Sequence, residues 1–351
     1  MSSTLEYKNI IADMRTKVNN ELEIYFNEKL NQCDDDKIIN VISELKSFTM
    51  NGGKRVRPIL MIIGHNLFRR QDDKIIKASI SIELAQSFLL IHDDIMDSSD
   101  FRRGKPSYHK AIESKLSVPE RAKIAENVAI SAGDLVDTFS HEALLISGFD
   151  VQNLLDADFE FSRIIEDTGK GQLLDIYSSI ENSYSEQNLL KLHFLKTARY
   201  TIQGPLLMGA YLSGNKEYIS NLKDFGKYAG IAFQLYDDVL GLFGDESKTG
   251  KPSKGDVNDG KKTLLMIRAY ENSDSSKRSF IEKCLKSGNV SDSDFEELKN
   301  IVKESGSYDY SMNKIKEYNK LALAALDGIH GDKSILELLN FFLGYLTNRE
   351  N

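Results

Sequence analysis

The chain has 351 residues, 41% of them hydrophobic, and its 45 basic and 53 acidic residues give a net charge of −8. This length allows one large or two average domains, and the negative charge argues against nucleic acid or an anionic membrane surface as a partner. The two cysteines, Cys33 and Cys284, make no disulfide framework and indicate a reducing cytoplasm. The N-terminus lacks the apolar core of a signal peptide, and no stretch of about eighteen uncharged apolar residues exists, so we expect no stable membrane insertion.

Only five prolines are present, which favours long helices. Apolar residues at three- and four-residue spacing predict helices over residues 4–31 and 37–49. The turn NGGKRVRP (51–58) follows, and its Pro58 suits the first turn of the next helix. The cationic side chains of this turn would lie beside a helix N-terminus, which favours anions. Taken alone, the turn is equally typical of a solvated basic loop.

The helix predicted over residues 74–97 ends in an acidic motif. Asp93 and Asp97 share a helix face, and Asp94 lies on the flank. Three carboxylates this close repel each other unless a cation lies between them, and such oxygens suit Mg²⁺ or Mn²⁺ with a phosphate as co-ligand. Two arginines follow at 102–103, and guanidinium groups bind phosphate oxygens bidentately. The stretch therefore indicates a metal–diphosphate site.

The acidic motif has two other interpretations, a solvated surface and the metal site of a phosphohydrolase. Acidic residues near a helix end are commonly solvated surface, but a surface helix rarely carries the uncharged apolar run at 84–91 that precedes them here. A metal-dependent phosphohydrolase with His92 and Asp93 as adjacent ligands would need more histidines around the same metal. The six histidines of the chain show no paired ligand spacing.

A second acidic motif repeats this order of aspartates followed by cations. Gln234 and Asp237 share a helix face, and Asp238 comes next. A glycine-containing loop then leads to Lys251 and Lys261. Two such sites in one chain could hold metals on a single diphosphate.

The remaining pattern is helical. Beyond residues 58–69, helices are predicted over 119–147, 151–175, 183–197, 217–243, 312–326 and 334–347, with others beginning near 205 and 293. No strand pattern, linker or low-complexity run is present, and the motif halves come from distant segments. We therefore expect a single domain over residues 1–351.

Together the motifs resemble those of the trans-isoprenyl diphosphate synthases, the polyprenyl synthetase family, and among them the archaeal short-chain geranylgeranyl and farnesyl diphosphate synthases. In family order they are GGKRVRP (52–58), the first aspartate motif, RRG (102–104), GQLLD (171–175), KT (196–197) and FQLYDD (233–238). The resemblance implies an all-α fold, a single large helical bundle (the isoprenoid synthase fold) around a central apolar cavity, and a homodimer.

The resemblance also implies a role for each motif residue. A cluster of about three Mg²⁺ ions, which Mn²⁺ can replace, would be bound by Asp93, Asp94, Asp97, Asp237 and Asp238. The allylic diphosphate would be held by Arg102, Lys196, Thr197, Gln234, Lys251 and Lys261. The isopentenyl diphosphate would be held by Lys54, Arg57, Gln86 and Arg103. The catalytic set would be Asp93, Asp97, Asp237, Lys196, Thr197 and Gln234.

The implied reaction condenses isopentenyl diphosphate with dimethylallyl, geranyl or farnesyl diphosphate. Metal and cationic groups stabilise the departing diphosphate, an allylic carbocation forms, and the isopentenyl double bond attacks it. The released diphosphate then takes the proton. One residue departs from the common pattern: Gly241 stands where many relatives carry a third aspartate. Archaeal short-chain synthases share this glycine, so we expect activity with a looser second metal site.

By the same resemblance, product length would depend on Phe88 and Leu89, five and four residues before Asp93, because residues at these positions often form the cavity floor in this family. A single aromatic residue at the fifth position resembles geranylgeranyl diphosphate synthases, although Phe88 as ordinary core is the alternative. The alternatives are a farnesyl diphosphate synthase, an enzyme that makes both farnesyl and geranylgeranyl diphosphate, and one with a somewhat longer product. A terpene cyclase usually lacks the GGKRxRP turn, and a non-catalytic regulatory subunit typically loses the aspartates that this chain keeps.

Overall fold

The computed structural model describes residues 2–70, 72–180, 185–244 and 254–347. Within these ranges the protein is all-α, as predicted, except for a short antiparallel pair of strands, β1 (Phe101–Arg102) and β2 (Lys105–Pro106). The sequence analysis did not predict this pair, because two residues are too few to show the alternation of a strand.

The helices agree with the predicted ones to within a few residues at most ends. In chain order the first are α1 (Ser2–Asn31), α2 (Asp36–Met50), α3 (Val56–Asn66), α4 (Asp73–Met96), α5 (Tyr108–Lys115), α6 (Arg121–Leu145) and α7 (Val151–Ile180). Those that follow are α8 (Glu186–Leu192), a π-helical segment (His193–Gln203), α9 (Gly204–Leu212), α10 (Ile219–Phe243), α11 (Gly255–Asn258), α12 (Leu264–Glu271), α13 (Ser275–Lys286), α14 (Asp292–Glu304), α15 (Ser307–Leu326) and α16 (Lys333–Thr347).

The described residues divide into two compact units. The first lies within Met1–Glu160, Pro205–Lys216 and Gly331–Ile335. The second lies within Phe161–Gly204, Glu217–His330 and Leu336–Asn351.

In the first unit, α4 is the central helix and packs against α3 and α6. Its N-cap Asp72 accepts hydrogen bonds from the backbone N–H groups of Lys74 (3.0 Å) and Ile75 (3.2 Å), which fixes where the helix begins. Residues 78–85 are buried on every side of the helix, as expected for a core helix. By length and composition α4 could cross a membrane, but its most apolar window is 67% buried within the protein.

In the second unit, α10 packs against α15 and the π-helical segment. The core here is formed by apolar side chains of α10 and α12–α15, including Leu235, Val239, Leu264, Leu298 and Val302. Helix α10 is therefore packed against this core along its length. It carries the second acidic motif near its C-terminal end.

Candidate functional site

The basic turn between α2 and α3 places its cationic side chains in different environments. Arg55 has a left-handed backbone (φ 52°) at the N-cap of α3 and is only 3% exposed. Its guanidinium donates to the carboxylate of buried Glu83 and, through Nε at 2.8 Å, to Asn19 Oδ1. Breaking such a buried pair is costly, so it fixes the turn. Lys54 is exposed and Arg57 is half-buried.

Arg103 contacts the same turn from the loop that follows α4. Its Nη1 donates to the backbone oxygens of Asn51 (3.1 Å) and Gly52 (3.2 Å). Gly53 leaves room for this guanidinium, because a Cβ there would lie 3.0 Å from Nη1. The two basic segments therefore form one local structure.

A small pocket lies beside this structure in the first unit. Arg102, Arg103 and Gln86 supply polar groups to its wall, and Phe48 and Leu90 supply apolar ones. Its lining thus includes two of the residues predicted to bind isopentenyl diphosphate. Guanidinium groups beside apolar side chains are chemically suited to an anionic head with a short hydrocarbon part.

The first acidic motif presents its aspartates unequally. Asp94 is fully buried and accepts a hydrogen bond on Oδ1 from Arg102 Nε at 2.8 Å. Burial raises the pKa of Asp94, and the hydrogen bond from Arg102 opposes the rise. Asp93 is half-buried with Oδ2 at 3.6 Å from Arg102 Nη2, and Asp97 is the exposed C-cap of α4. Asp94 is therefore held by Arg102, and Asp93 and Asp97 are the more accessible carboxylates of the motif.

The second acidic motif repeats this division. Asp237 is half-buried, whereas Asp238 is 7% exposed and accepts from Gln234 Nε2 at 2.9 Å on Oδ1. His193 Nε2 lies 3.4 Å from Asp238 Oδ2. Burial raises the pKa of Asp238 well above its usual range; the hydrogen bond from Gln234 opposes this, and the negative charges of Asp256 and Asp237 add to it.

Lys196 and Thr197 lie in the π-helical segment of the second unit, close to this motif. Thr197 Oγ1 donates to Gln234 Oε1 at 3.0 Å, which gives Gln234 a second partner besides Asp238. Lys196 Nζ is 2.5 Å from Asp175 Oδ2 of α7. The predicted set Lys196, Thr197 and Gln234 is thus held by hydrogen bonds within one unit.

Lys261 forms an ion pair with Asp256 of α11, at 2.6 Å, and lies 3.6 Å from Asp259 Oδ2. Asp256 Oδ2 in turn occupies the space beside Gly241, where an added Cβ would lie only 2.1 Å away. Lys251, also predicted to bind the allylic diphosphate, lies outside the described residues.

A divalent ion suits the donor atoms of each motif. Asp93 and Asp97 in one unit, and Asp237 in the other, offer hard carboxylate oxygens that are partly open to ligands. Within the described ranges, no three histidine, cysteine or acidic side chains are grouped closely enough to enclose a metal by themselves.

Phe88 and Leu89, predicted to set product length, are both half-buried on α4 but point in different directions. Leu89 is one turn before Asp93 on the same face, whereas Phe88 lies about 140° away around the helix. The ring of Phe88 packs edge-on against His92, with centroids 4.9 Å apart. The geometry therefore puts Leu89, more than Phe88, below the first aspartate.

The polyprenyl synthetase family model matches residues 40–302, which include both acidic motifs. The chain belongs to this family. The predicted resemblance is thereby confirmed, and with it the enzyme class of prenyl-group transferases.

Relatives of known activity or structure extend the match over nearly the whole chain. A geranylgeranyl diphosphate synthase of Saccharolobus solfataricus is 30% identical over 337 residues, covering 93% of this chain and 97% of that protein. A geranylfarnesyl diphosphate synthase of Aeropyrum pernix is 30% identical over 305 residues, covering 85% and 91%. The geranylgeranyl pyrophosphate synthase of Corynebacterium glutamicum, solved with isoprenyl diphosphate and magnesium, is 29% identical with a TM-score of 0.89, covering 96% and 99%. This likeness confirms the predicted isoprenoid synthase fold.

Four residues that contact the predicted site residues or the basic turn were given no role from the sequence: Glu83, Asp175, His193 and Asp256. One of them carried a signal, because Asp175 closes the GQLLD motif. Gly241 was interpreted as a loosening of the second metal site, and nothing in the local pattern indicated Asp256. Glu83 and His193 stand alone in apolar or mixed surroundings, and only their contacts reveal their importance.

Proposed function

We propose that this chain is a short-chain trans-prenyltransferase that condenses isopentenyl diphosphate with allylic diphosphates and makes mainly geranylgeranyl diphosphate. The observation that carries the proposal is that Gln86 of α4 meets Arg102 and Arg103, from the segment after this helix, around one small pocket. A second diphosphate site of this kind is needed for chain elongation and is of no use to a cyclase.

In this reaction each group of residues has a distinct task. Lys54, Arg57, Gln86 and Arg103 bind isopentenyl diphosphate, which positions its double bond. The pocket offers no free base, because Glu83 is paired with Arg55 and the other lining groups that we describe are amides, hydroxyls, apolar groups or guanidiniums. The proton lost from the product therefore goes to the released diphosphate.

The allylic diphosphate is proposed to bind Asp93, Asp97 and Asp237 through Mg²⁺, supported by Asp94 and Asp238. About three such ions, or Mn²⁺ in their place, would supply Lewis-acid stabilisation of the leaving group. The cationic and polar groups that complete this binding are Arg102, Lys196, Thr197, Gln234, Lys251 and Lys261. Thr197 and Gln234 offer dipoles without nucleophilic reactivity, which suits a carbocation.

Geranylgeranyl diphosphate is favoured as the product by two features. The Saccharolobus solfataricus relative has this activity, and the half-buried Leu89 lies one turn before Asp93 on the same face of α4, with the half-buried ring of Phe88 beside it in the chain. The Aeropyrum pernix relative is a geranylfarnesyl diphosphate synthase, whose product is longer. A farnesyl product is shorter and would require side chains that close the cavity nearer to Asp93. The substitution Phe88→Ala should lengthen the product if the ring limits the growing chain.

We further propose that the protein acts as a cytoplasmic homodimer of a single synthase domain. The family match runs through both compact units, which supports one functional domain. Cys33 and Cys284 are free thiols, consistent with a reducing compartment. The net charge of −8 gives no support to nucleic acid as a partner.

A product assay tests the proposal. The purified chain is incubated with Mg²⁺, labelled isopentenyl diphosphate and each allylic starter in turn, and the dephosphorylated alcohols are resolved by length. Mainly geranylgeraniol is expected, with none formed in excess EDTA. Farnesol or longer alcohols would refute the product but keep the enzyme class. No elongation with any starter would overturn the function and favour a regulatory subunit.

A further inference from the structure

Position 241 closes the second acidic motif without a side chain. It lies four residues after Asp237, on the same face of α10, where a third aspartate would stand. The residue does not need glycine for its backbone, because its φ is not in the positive range that glycine favours. It needs glycine for space: a Cβ would lie 2.1 Å from Asp256 Oδ2 and 3.2 Å from its Cγ.

The carboxylate that fills this space is fixed at two points. Asp256 Oδ1 accepts from Lys261 Nζ at 2.6 Å, and the backbone oxygen of Asp256 accepts from the N–H of Lys261 at 2.9 Å. Its side chain is only 28% exposed, so this charged hydrogen bond is partly shielded from water. Lys261 is therefore held by the same carboxylate that lies against Gly241.

We propose that Asp256 supplies the third carboxylate of the second acidic motif from outside α10. In this place it also positions Lys261 for the allylic diphosphate. Gly241 leaves the space that the Asp256 carboxylate occupies. The inference rests on the proposed function, because it uses the diphosphate role of Lys261. It also changes the expectation for Gly241. The glycine does not leave a loose site, since the room it provides is occupied by a carboxylate with a cation attached.

A binding experiment without turnover tests this proposal. The affinity of inorganic pyrophosphate in excess Mg²⁺ is measured by titration calorimetry, alongside the KM for geranyl diphosphate. Asp256→Asn should weaken pyrophosphate binding about tenfold, which corresponds to about 1.4 kcal/mol, and raise that KM without changing the KM for isopentenyl diphosphate. Asp259→Asn is the matched control, because Asp259 also lies near Lys261 but is 63% exposed and should matter less than about twofold.

A swap of the carboxylate between the two positions sharpens the test. Gly241→Asp alone should weaken binding as much as Asp256→Asn, because both carboxylates cannot fit. Gly241→Asp combined with Asp256→Ala should restore most of the affinity, since the Cβ atom of residue 256 is 3.8 Å from a Cβ at 241. If the double variant does not fold, Gly241→Ala tests the displacement alone: its methyl group must move Asp256 and should weaken pyrophosphate binding, whereas wild-type affinity in this variant would contradict the inference.

Two outcomes would overturn the inference. Either Asp256→Asn binds pyrophosphate as tightly as the wild type, or the double variant binds it no more tightly than Gly241→Asp. If the wild-type chain elongates an allylic starter in the same experiments, the proposed function stays intact. A wild-type chain that binds pyrophosphate but elongates no starter would instead refute the proposed function.

Discussion

At the scale of single residues, the two acidic motifs share one design. In each, the first aspartate is half-buried and the second is buried with a fixed partner: Asp94 with Arg102, and Asp238 with Gln234. A buried carboxylate is costly unless it is hydrogen-bonded. We therefore expect the second aspartate of each motif to contribute mainly to stability, and we propose that the first binds ligands.

This division predicts opposite results for neighbouring substitutions. Asp93→Ala should abolish turnover and leave the melting temperature nearly unchanged, because its carboxylate is proposed to bind the metal. Asp94→Ala should lower the free energy of unfolding by about 2–4 kcal/mol, since Arg102 loses its buried partner. Turnover assays and urea unfolding of both variants check this. Near-normal turnover in Asp93→Ala would contradict the metal-ligand assignment.

His193 predicts a dependence of stability on pH. Burial lowers its pKa from 6.5 to about 4, although the charges of Asp175 and Asp237 oppose this. Between these pH values the unfolded chain binds a proton that the folded chain does not, so stability falls as the pH is lowered. The group should contribute at most about 3 kcal/mol of this loss.

Urea unfolding at several pH values from 7 to 4 measures this contribution in the wild type and in His193→Gln. The stability difference between the two proteins should change across the range, with the variant losing less as the pH falls. Parallel curves would show that His193 has the same pKa in the folded and unfolded states.

At the scale of elements, the contact between α7 and the π-helical segment sets the position of Lys196. Gly171 lies one turn before Asp175, and a Cβ there would be 2.5 Å from the backbone nitrogen of Lys196. The two helices therefore touch through their backbones, and Lys196 Nζ reaches Asp175 Oδ2 at 2.5 Å. The prediction of a helix ending at 175 was wrong, because α7 continues to Ile180 and places Asp175 inside it.

The same helix contains its own control for this close approach. Gly171→Ala should destabilise the protein by about 1–3 kcal/mol, because the methyl group forces the backbones apart. Gly169→Ala, where nothing lies within 4 Å of the added Cβ, should stabilise it by up to about 1 kcal/mol through helix propensity. Thermal unfolding of both variants gives the comparison. Equal effects would rule out a steric role for Gly171.

At the scale of the whole molecule, an apolar stripe on the first part of α7 supports the proposed homodimer. Val151, Leu155 and Phe159 recur at four-residue spacing and are 71%, 57% and 63% exposed. Leu145 and Ile146, at the end of α6, are also more than half exposed. Neighbouring exposed apolar side chains of this size mark an interaction surface.

Charges placed on this stripe should separate the subunits. The variant Leu155→Glu/Phe159→Glu should elute as a monomer, with its mass measured by light scattering, because two carboxylates would have to be buried in the interface. Gln152→Glu adds a charge at an exposed position beside the stripe and should remain dimeric. A monomeric wild type would refute the homodimer, and a dimeric double variant would place the interface elsewhere.

The sequence by itself determined the all-α fold, most helix limits and the family. Apolar periodicity and capping are local properties, and the motifs GGKRVRP, GQLLD and FQLYDD keep a fixed spacing along the chain. Only the tertiary structure decided which of the basic residues at 54–57 is buried, which aspartate Arg102 holds, and that Asp256 fills the space at Gly241. These pairings join residues on different elements, up to 28 positions apart in the chain, and their choice depends on how the elements pack rather than on local spacing.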